Sequence, residues 1–281
     1  MRVLRDINSL DKLFEKRRKR KNHVVERVAK IIRNVREKGD EAVLEYTKRF
    51  DKVKILPKEL RVTELEISSA FNELNSQLIK AIKLSMDNVY KFYREQIPRP
   101  LRIKEDNGKV VEVQYRPIQR LGVYIPAGSA PLVSSVYMSV IPALVAGVKD
   151  IVLVSPPSTN KLINSFILAV SSMLKIREVY KIGGAQAIAA LAFGTKTIKR
   201  VDKIIGPGNE FVTEAKRQVF GEVDIDMLAG PSEVVIIAGK RANIDFIVAD
   251  LEAQIEHRGG LGIVVTNSRR LVRELQESKV A

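Results

Sequence analysis

Leu121-Gly-Val-Tyr-Ile125, Ile151-Val-Leu-Val154, Val179-Tyr-Lys-Ile182 and Asp202-Lys-Ile-Ile205 decide the fold. Each is a short, largely apolar run, and the intervals between them are long enough for a helix. A strand that is apolar on successive positions has both faces covered, as in a parallel sheet with helices on either side. Helices are expected near 133–147, 160–175, 185–193 and 209–220. The fold class is therefore α/β, with Rossmann-like parallel sheets and flanking helices. A further βαβ unit follows: strand 233–238, helix 243–257, strand 261–266 and helix 268–278. Two strands make a poor sheet alone, so this second Rossmann-like domain reads as incomplete.

Upstream the pattern is helical. Val24, Val28, Ile31, Ile32 and Val35 recur at helical spacing within 8–50, with Gly39-Asp40 as punctuation. Leu78, Ile82, Met86, Val89 and Tyr93 form a second stripe that ends before Pro98 and Pro100. Residues 101–118 alternate, as a half-buried strand pair does, around an Asn107-Gly108 turn. The expected division is a helical region with a β-hairpin over 1–118, a Rossmann-like domain over 119–231 and half of another over 232–281.

The chain has 281 residues, 45% hydrophobic and 29% charged, the balance of a soluble globular protein. No apolar run approaches the roughly 18 residues of a membrane span, and Met1–Leu10 carries no signal-peptide pattern. There is no cysteine, which excludes disulfides, a thiolate nucleophile and Cys-ligated zinc, and favours a cytoplasmic setting. Net charge is +15, and residues 1–60 hold nineteen basic against ten acidic side chains. The run Lys16-Arg17-Arg18-Lys19-Arg20-Lys21 admits two readings, an anionic-surface patch or a solvated helix face. Without a nucleic-acid motif or stacking aromatics beside it, the solvated face is preferred, and neither nucleic acid nor membrane is an expected partner.

Four Gly- or Pro-marked turns lie at carboxyl ends of strands, where α/β folds build their binding crevice. They are Tyr124-Ile-Pro-Ala-Gly-Ser-Ala-Pro131, Gly183-Gly-Ala-Gln186, Gly206-Pro-Gly-Asn209 and Ala229-Gly-Pro-Ser-Glu233. Gln186 and Asn209 open helices whose N-termini attract phosphate. The plainer reading is that Gly and Pro only make tight strand–helix turns. No Gly-x-Gly-x-x-Gly fingerprint, serine elbow or Walker loop is present. Gln254 and His257, three apart on a helix, leave one face and suit a metal, or are ordinary polar residues. They supply two donors, half of a four-coordinate zinc site.

Taken together, Leu121–Pro126, Gly183–Ala190, Gly206–Asn209 and the whole of 225–257 resemble the histidinol dehydrogenase family. The likeness extends to Gly39-Asp40, Tyr46-Thr47, Phe50-Asp51 and Arg116-Pro117-Ile118, and so spans essentially the whole chain. It implies NAD-dependent oxidation of L-histidinol through an aldehyde to L-histidine, the last steps of histidine biosynthesis, in a homodimer. By resemblance Tyr124, Gln186 and Asn209 contact NAD, Ser232 contacts substrate, and Gln254 and His257 bind both zinc and substrate. Two departures are small: Ala127 where the family commonly has glycine, and a tighter His257-Arg258-Gly259-Gly260 turn. A third is larger. The family's acid/base Glu-His pair and its other zinc ligands, an Asp and a His, come later in its sequence, whereas no histidine follows His257 here. The resemblance thus implies no catalytic acid or base among these residues, and an alternative reading of a catalytically inactive NAD- or histidinol-binding chain that needs a partner.

Overall fold

A computed structural model describes residues 3, 4, 6–127, 133–229, 233–255 and 260–278, with the backbone alone at 7, 16–21 and 255. Ser232, His257, the Gly128–Pro131 and Gly230–Ser232 parts of two turns, and the side chains of Lys16–Lys21 lie outside the described residues. The chain divides into two compact units, residues 26–228 and residues 1–25 with 229–281.

The larger unit is organised on five parallel strands: β3 (Arg120–Tyr124), β4 (Asp150–Ser155), β5 (Glu178–Lys181), β6 (Lys203–Ile205) and β7 (Asp224–Ile225). Their spatial order is β5-β4-β3-β6-β7. The chain thus starts in the middle, builds outward to one edge, then returns to build the other, which is the doubly wound order. The expected fold class is borne out. β7 was not legible because two residues are too few to show a period.

β3 is buried along its whole length. Leu121, Val123 and Ile125 enter the core shared with α5 (Val133–Val145) and α6 (Ser165–Met173). Gly122 faces the other way, against Leu191 of α7 (Gly184–Phe193). Period-two alternation with both sides apolar is why this strand reads as a continuous hydrophobic run. The stripe read on 76–94 is α4 (Ser76–Arg94), with Asn75 capping its first turn through a 2.8 Å bond from the Leu78 amide. Ile82 of α4 lies in the same core, joined by Val62, Ala70 and Leu74. Residues upstream of 118 therefore share a core with the sheet.

The long helical stretch is two helices, α1 (Ile7–Lys38) and α2 (Asp40–Phe50), separated by Gly39. Val28, Ile31 and Val35 are buried as expected, and α2 packs on α7. One expectation fails. The strands β1 (Leu101–Lys104) and β2 (Val110–Val113) form the hairpin around Asn107-Gly108, yet every residue in them is exposed instead of half-buried. Alternation reports that a ribbon has two different faces, and it cannot report that another layer covers one of them; among the described residues these strands pair only with each other.

In the smaller unit β8 (Glu233–Ala238) and β9 (Leu261–Thr266) pair in parallel, joined through α9 (Ile244–Ile255), and α10 (Arg269–Glu277) follows. Ala238, Ile247, Leu251, Leu271 and Leu275 make its core, while Val235, Ile237 and Val265 are exposed. Among the described residues no helix is long and apolar enough to cross a membrane.

The amino ends of the central strands are tied by one cation. Arg120, buried at the start of β3, donates from Nη1 to Asp150 (2.6 Å) at the start of β4 and from Nη2 to Glu178 at the start of β5. Its amide donates to Asp202 (2.8 Å), just before β6. Arg120→Met would leave two carboxylates facing each other without their cation. We expect it to lower unfolding stability by about 2 kcal/mol, read as a lower urea midpoint; an unchanged midpoint would show that water already compensates those carboxylates.

Candidate functional site

In a doubly wound sheet the crevice opens where successive connections leave in opposite directions, here between the carboxyl ends of β3 and β6. A cavity of about 750 Å³ lies there, lined by Asp51, Tyr124, Pro156, Gln186, Asn209 and Phe211 among others. Tyr124, Gln186 and Asn209, predicted from three separate turns, are brought together in it.

Tyr124 ends β3 and is buried. Its hydroxyl accepts a 3.1 Å bond from the Gly184 amide, which ties the end of β3 to the N-terminus of α7. Burial pushes the phenol up to about 12, so it stays protonated and keeps its own proton to donate. Gly184 sits at φ +64, a left-handed conformation that lets the backbone turn sharply from β5 into α7. Gln186 lies in the first turn of α7 with no exposure, and among the described residues neither its Oε1 nor its Nε2 has a hydrogen-bond partner. A buried primary amide without partners costs free energy unless a ligand completes it. This observation says most about the cavity.

The two helix N-termini differ. Asn209 caps α8 (Glu210–Val219) itself, its Oδ1 accepting from the amides of Phe211 (3.0 Å) and Val212 (3.1 Å). That engages the oxygen and leaves the Nδ2 group to donate. At α7 the N-cap is Gly183, with no side-chain cap. The uncapped α7 terminus, with its positive dipole end, is the better seat for an anion.

Three residues that sequence reasoning did not assign to the site shape it: Lys216, Asp226 and Asp51. Lys216 donates to the Gly206 carbonyl (2.6 Å) and to Asp226 (2.5 Å), while the Gly206 amide donates to the other Asp226 oxygen (2.8 Å). This holds the turn after β6 against the end of β3. At Gly206 (φ +115) a Cβ would stand 2.1 Å from the Tyr124 carbonyl oxygen, so only glycine fits. A signal existed: Lys216 shares the buried face of α8 with Val212, Ala215 and Val219, an unusual place for an ammonium. The third is Asp51, the residue that ends α2, whose Oδ2 is buried without a partner among the described residues. Burial pushes its carboxyl up to about 6. Only contact across the fold reveals it as a site residue, because the family likeness of Phe50-Asp51 assigned it no role.

Gln254 is buried near the end of α9, and Ser232 and His257 lie outside the described residues. Among the described residues no group of three or more His, Cys, Asp or Glu is placed to hold a metal.

The histidinol dehydrogenase family model matches residues 14–280. The chain belongs to that family. Histidinol dehydrogenase from Clostridium acetobutylicum is 41% identical over 284 residues, covering 99% of this chain and 65% of the relative. That from Photobacterium profundum is 49% identical over 233 residues, 82% of this chain and 51% of the relative. The chain thus spans between half and two thirds of the length of such relatives. The crystal structure of histidinol dehydrogenase from Elizabethkingia anophelis superposes with a TM-score of 0.76 at 36% identity, over 99% of this chain and 62% of that one.

In this histidinol dehydrogenase family member Asp51 sets a pH dependence. Burial holds its carboxyl at about 6, above the ordinary aspartate value of 3.8, so the native state binds its proton more tightly. The contribution to stability is full at low pH, declines as pH rises from about 4 and is lost above about 6. Asp51→Asn is expected to melt with wild type below pH 4 and about 3 °C higher at pH 8, by calorimetry. Parallel melting curves at both pH values would contradict this assignment.

Proposed function

We propose that this chain binds NAD in the cavity between β3 and β6, and that the protein oxidises L-histidinol through L-histidinaldehyde to L-histidine. The unpartnered, fully buried amide of Gln186 carries the first half of the reading. Residues 119–231 form the NAD domain on this reading. Tyr124 would donate from its protonated hydroxyl, Gln186 would donate and accept through its amide, and Asn209 would donate from Nδ2. The open N-terminus of α7 would take the diphosphate. A wall of Pro126, Pro156, Phe50 and Phe211 offers the apolar surface that a base or nicotinamide ring needs.

The second half rests on family membership. NAD would supply the hydride acceptor, two molecules being needed in succession: one for the hydride of the alcohol carbon and one for that of the hydrated aldehyde. Ser232, Gln254 and His257 are the residues we assign to substrate, in the half-domain 232–281. Gln254 and His257 would also hold zinc, an ion that supplies orientation and Lewis acidity. A Gln carbonyl and an imidazole, three residues apart, are a chemically suitable donor pair for that metal. We assign no acid or base among these residues. A homodimer acting in the cytoplasm completes the proposal.

A second reading is favoured by the placement of the cavity, whose lining belongs wholly to residues 26–228. On that reading the chain binds NAD but turns over no histidinol by itself. Two measurements on the purified 281-residue chain separate the readings: calorimetric titration with NAD, and NADH formation with L-histidinol, NAD and zinc. Binding is expected in both, weakened about ten-fold or more in Gln186→Leu because its polar contacts are lost. Turnover that disappears in His257→Ala supports the dehydrogenase; binding without turnover in a folded sample supports the second reading. Absence of NAD binding in a folded sample would remove both.

A further inference from the structure

In doubly wound dinucleotide sites an acidic residue following the second strand ordinarily holds the adenosine ribose hydroxyls and excludes a 2′-phosphate. Here the second strand of the order is β4, and it runs out into Ser155-Pro156-Pro157, with no carboxylate. Pro156 and Pro157 nevertheless line the cavity, and on the same wall stands Asp51, delivered by α2 from outside the sheet. We propose that Asp51 receives the vicinal hydroxyls of the adenosine ribose and makes this cavity select NAD over NADP. The proposal rests on the reading of the cavity as an NAD site and goes beyond it by naming the residue that chooses between the two nucleotides.

Three observations converge on Asp51. It lines the cavity, one of its oxygens is buried without a partner, and no ion pair to it is found among the described residues. A carboxylate in that state lacks donors, and a ribose diol brings two. A 2′-phosphate would bring a near-dianion against the same group, with like charges in a partly dry site. The raised carboxyl pKa accords with a group whose partner arrives with the ligand. Tyr124, whose phenol feels the Asp51 charge, lines the same cavity. Arg27 lines the cavity too, its guanidinium 5.1 Å over the Phe211 ring. Cation and carboxylate divide the ligand by chemistry: Arg27 suits the diphosphate and Asp51 the diol. The opposite division, with Arg27 taking a 2′-phosphate, makes the reverse prediction about NADP.

The test is equilibrium titration of the 281-residue chain with NAD, NADP, ADP-ribose and 2′-phospho-ADP-ribose. Wild type, Asp51→Asn and Asp51→Glu are compared, each shown to be folded by its melting curve. Asp51→Asn keeps the size of the side chain and removes an uncompensated charge, so it should fold; Asp51→Glu keeps the charge. Wild type should prefer NAD to NADP and ADP-ribose to its 2′-phosphate. Asp51→Asn should weaken NAD about ten-fold and narrow the NAD:NADP ratio by more than that, because repulsion of the phosphate is lost as well. Asp51→Glu should still reject NADP. A ratio unchanged in Asp51→Asn, with NAD still bound by wild type, overturns the assignment to Asp51 and leaves the NAD site standing. Equal affinity of wild type for NAD and NADP overturns it in favour of Arg27. Binding of neither NAD nor ADP-ribose by folded wild type overturns the cavity reading, and this proposal with it.

Discussion

The Lys216 ammonium is the interaction on which the site depends. It is nearly without water contact, and it is matched by short hydrogen bonds to the Gly206 carbonyl and the Asp226 carboxylate. Asp226 in turn holds the Gly206 amide, so the turn after β6 is fastened on both its donor and its acceptor side. A buried ion pair is weak evidence of net stability, because desolvation offsets much of its attraction. Its worth is geometric. It presses a residue without Cβ against the Tyr124 backbone, and so fixes the distance between the ends of β3 and β6. Asn209, two peptide units beyond Pro207, inherits its position from that clamp, and α8 inherits its cap.

Much of this fold was legible because burial on two sides leaves an unbroken apolar record. β3, β4, β5 and β6 were read within one or two residues, and so were the helices that cover them except α6, which begins five residues later than expected. The hairpin at 101–113 shows the opposite case. Its alternation is real, but Val111 and Val113 lie exposed because no further layer is packed on them as a half-buried strand would require. Tyr124, Gln186 and Asn209 were found through their turns and the family likeness, since a site at strand ends leaves glycines and prolines in the local sequence. Asp51 was quoted in the family likeness but without a role. It belongs to a helix terminus nearly seventy residues before β3, and only packing of α2 on α7 brings it to the cavity. Lys216 was visible in principle as a charge on an apolar helical face, a pattern easily passed over when looking for hydrophobic periodicity.

Three separate connections meet at the cavity, so its geometry is a property of the sheet instead of any one loop. The phenol of Tyr124 ties strand end to helix start, and Gly206 ties one strand end to the next. What is left without partners sits between these braces: the Gln186 amide, one oxygen of Asp51 and the uncapped first turn of α7. Rigid framework with unsatisfied polar groups at its centre is how a protein prepares for a ligand whose own groups complete the set.

Arg120 has a consequence of another kind. It gathers the amino ends of the central strands, while the cavity occupies their carboxyl ends, and β3 between them is five residues, about 17 Å, long. At that separation, with no shared partners, substitutions at the two ends act additively. Drift in the ionic knot below can therefore alter how long the protein survives without altering what it grips above. Lineages adapting to heat or cold have one end of the sheet to vary and the other to leave alone.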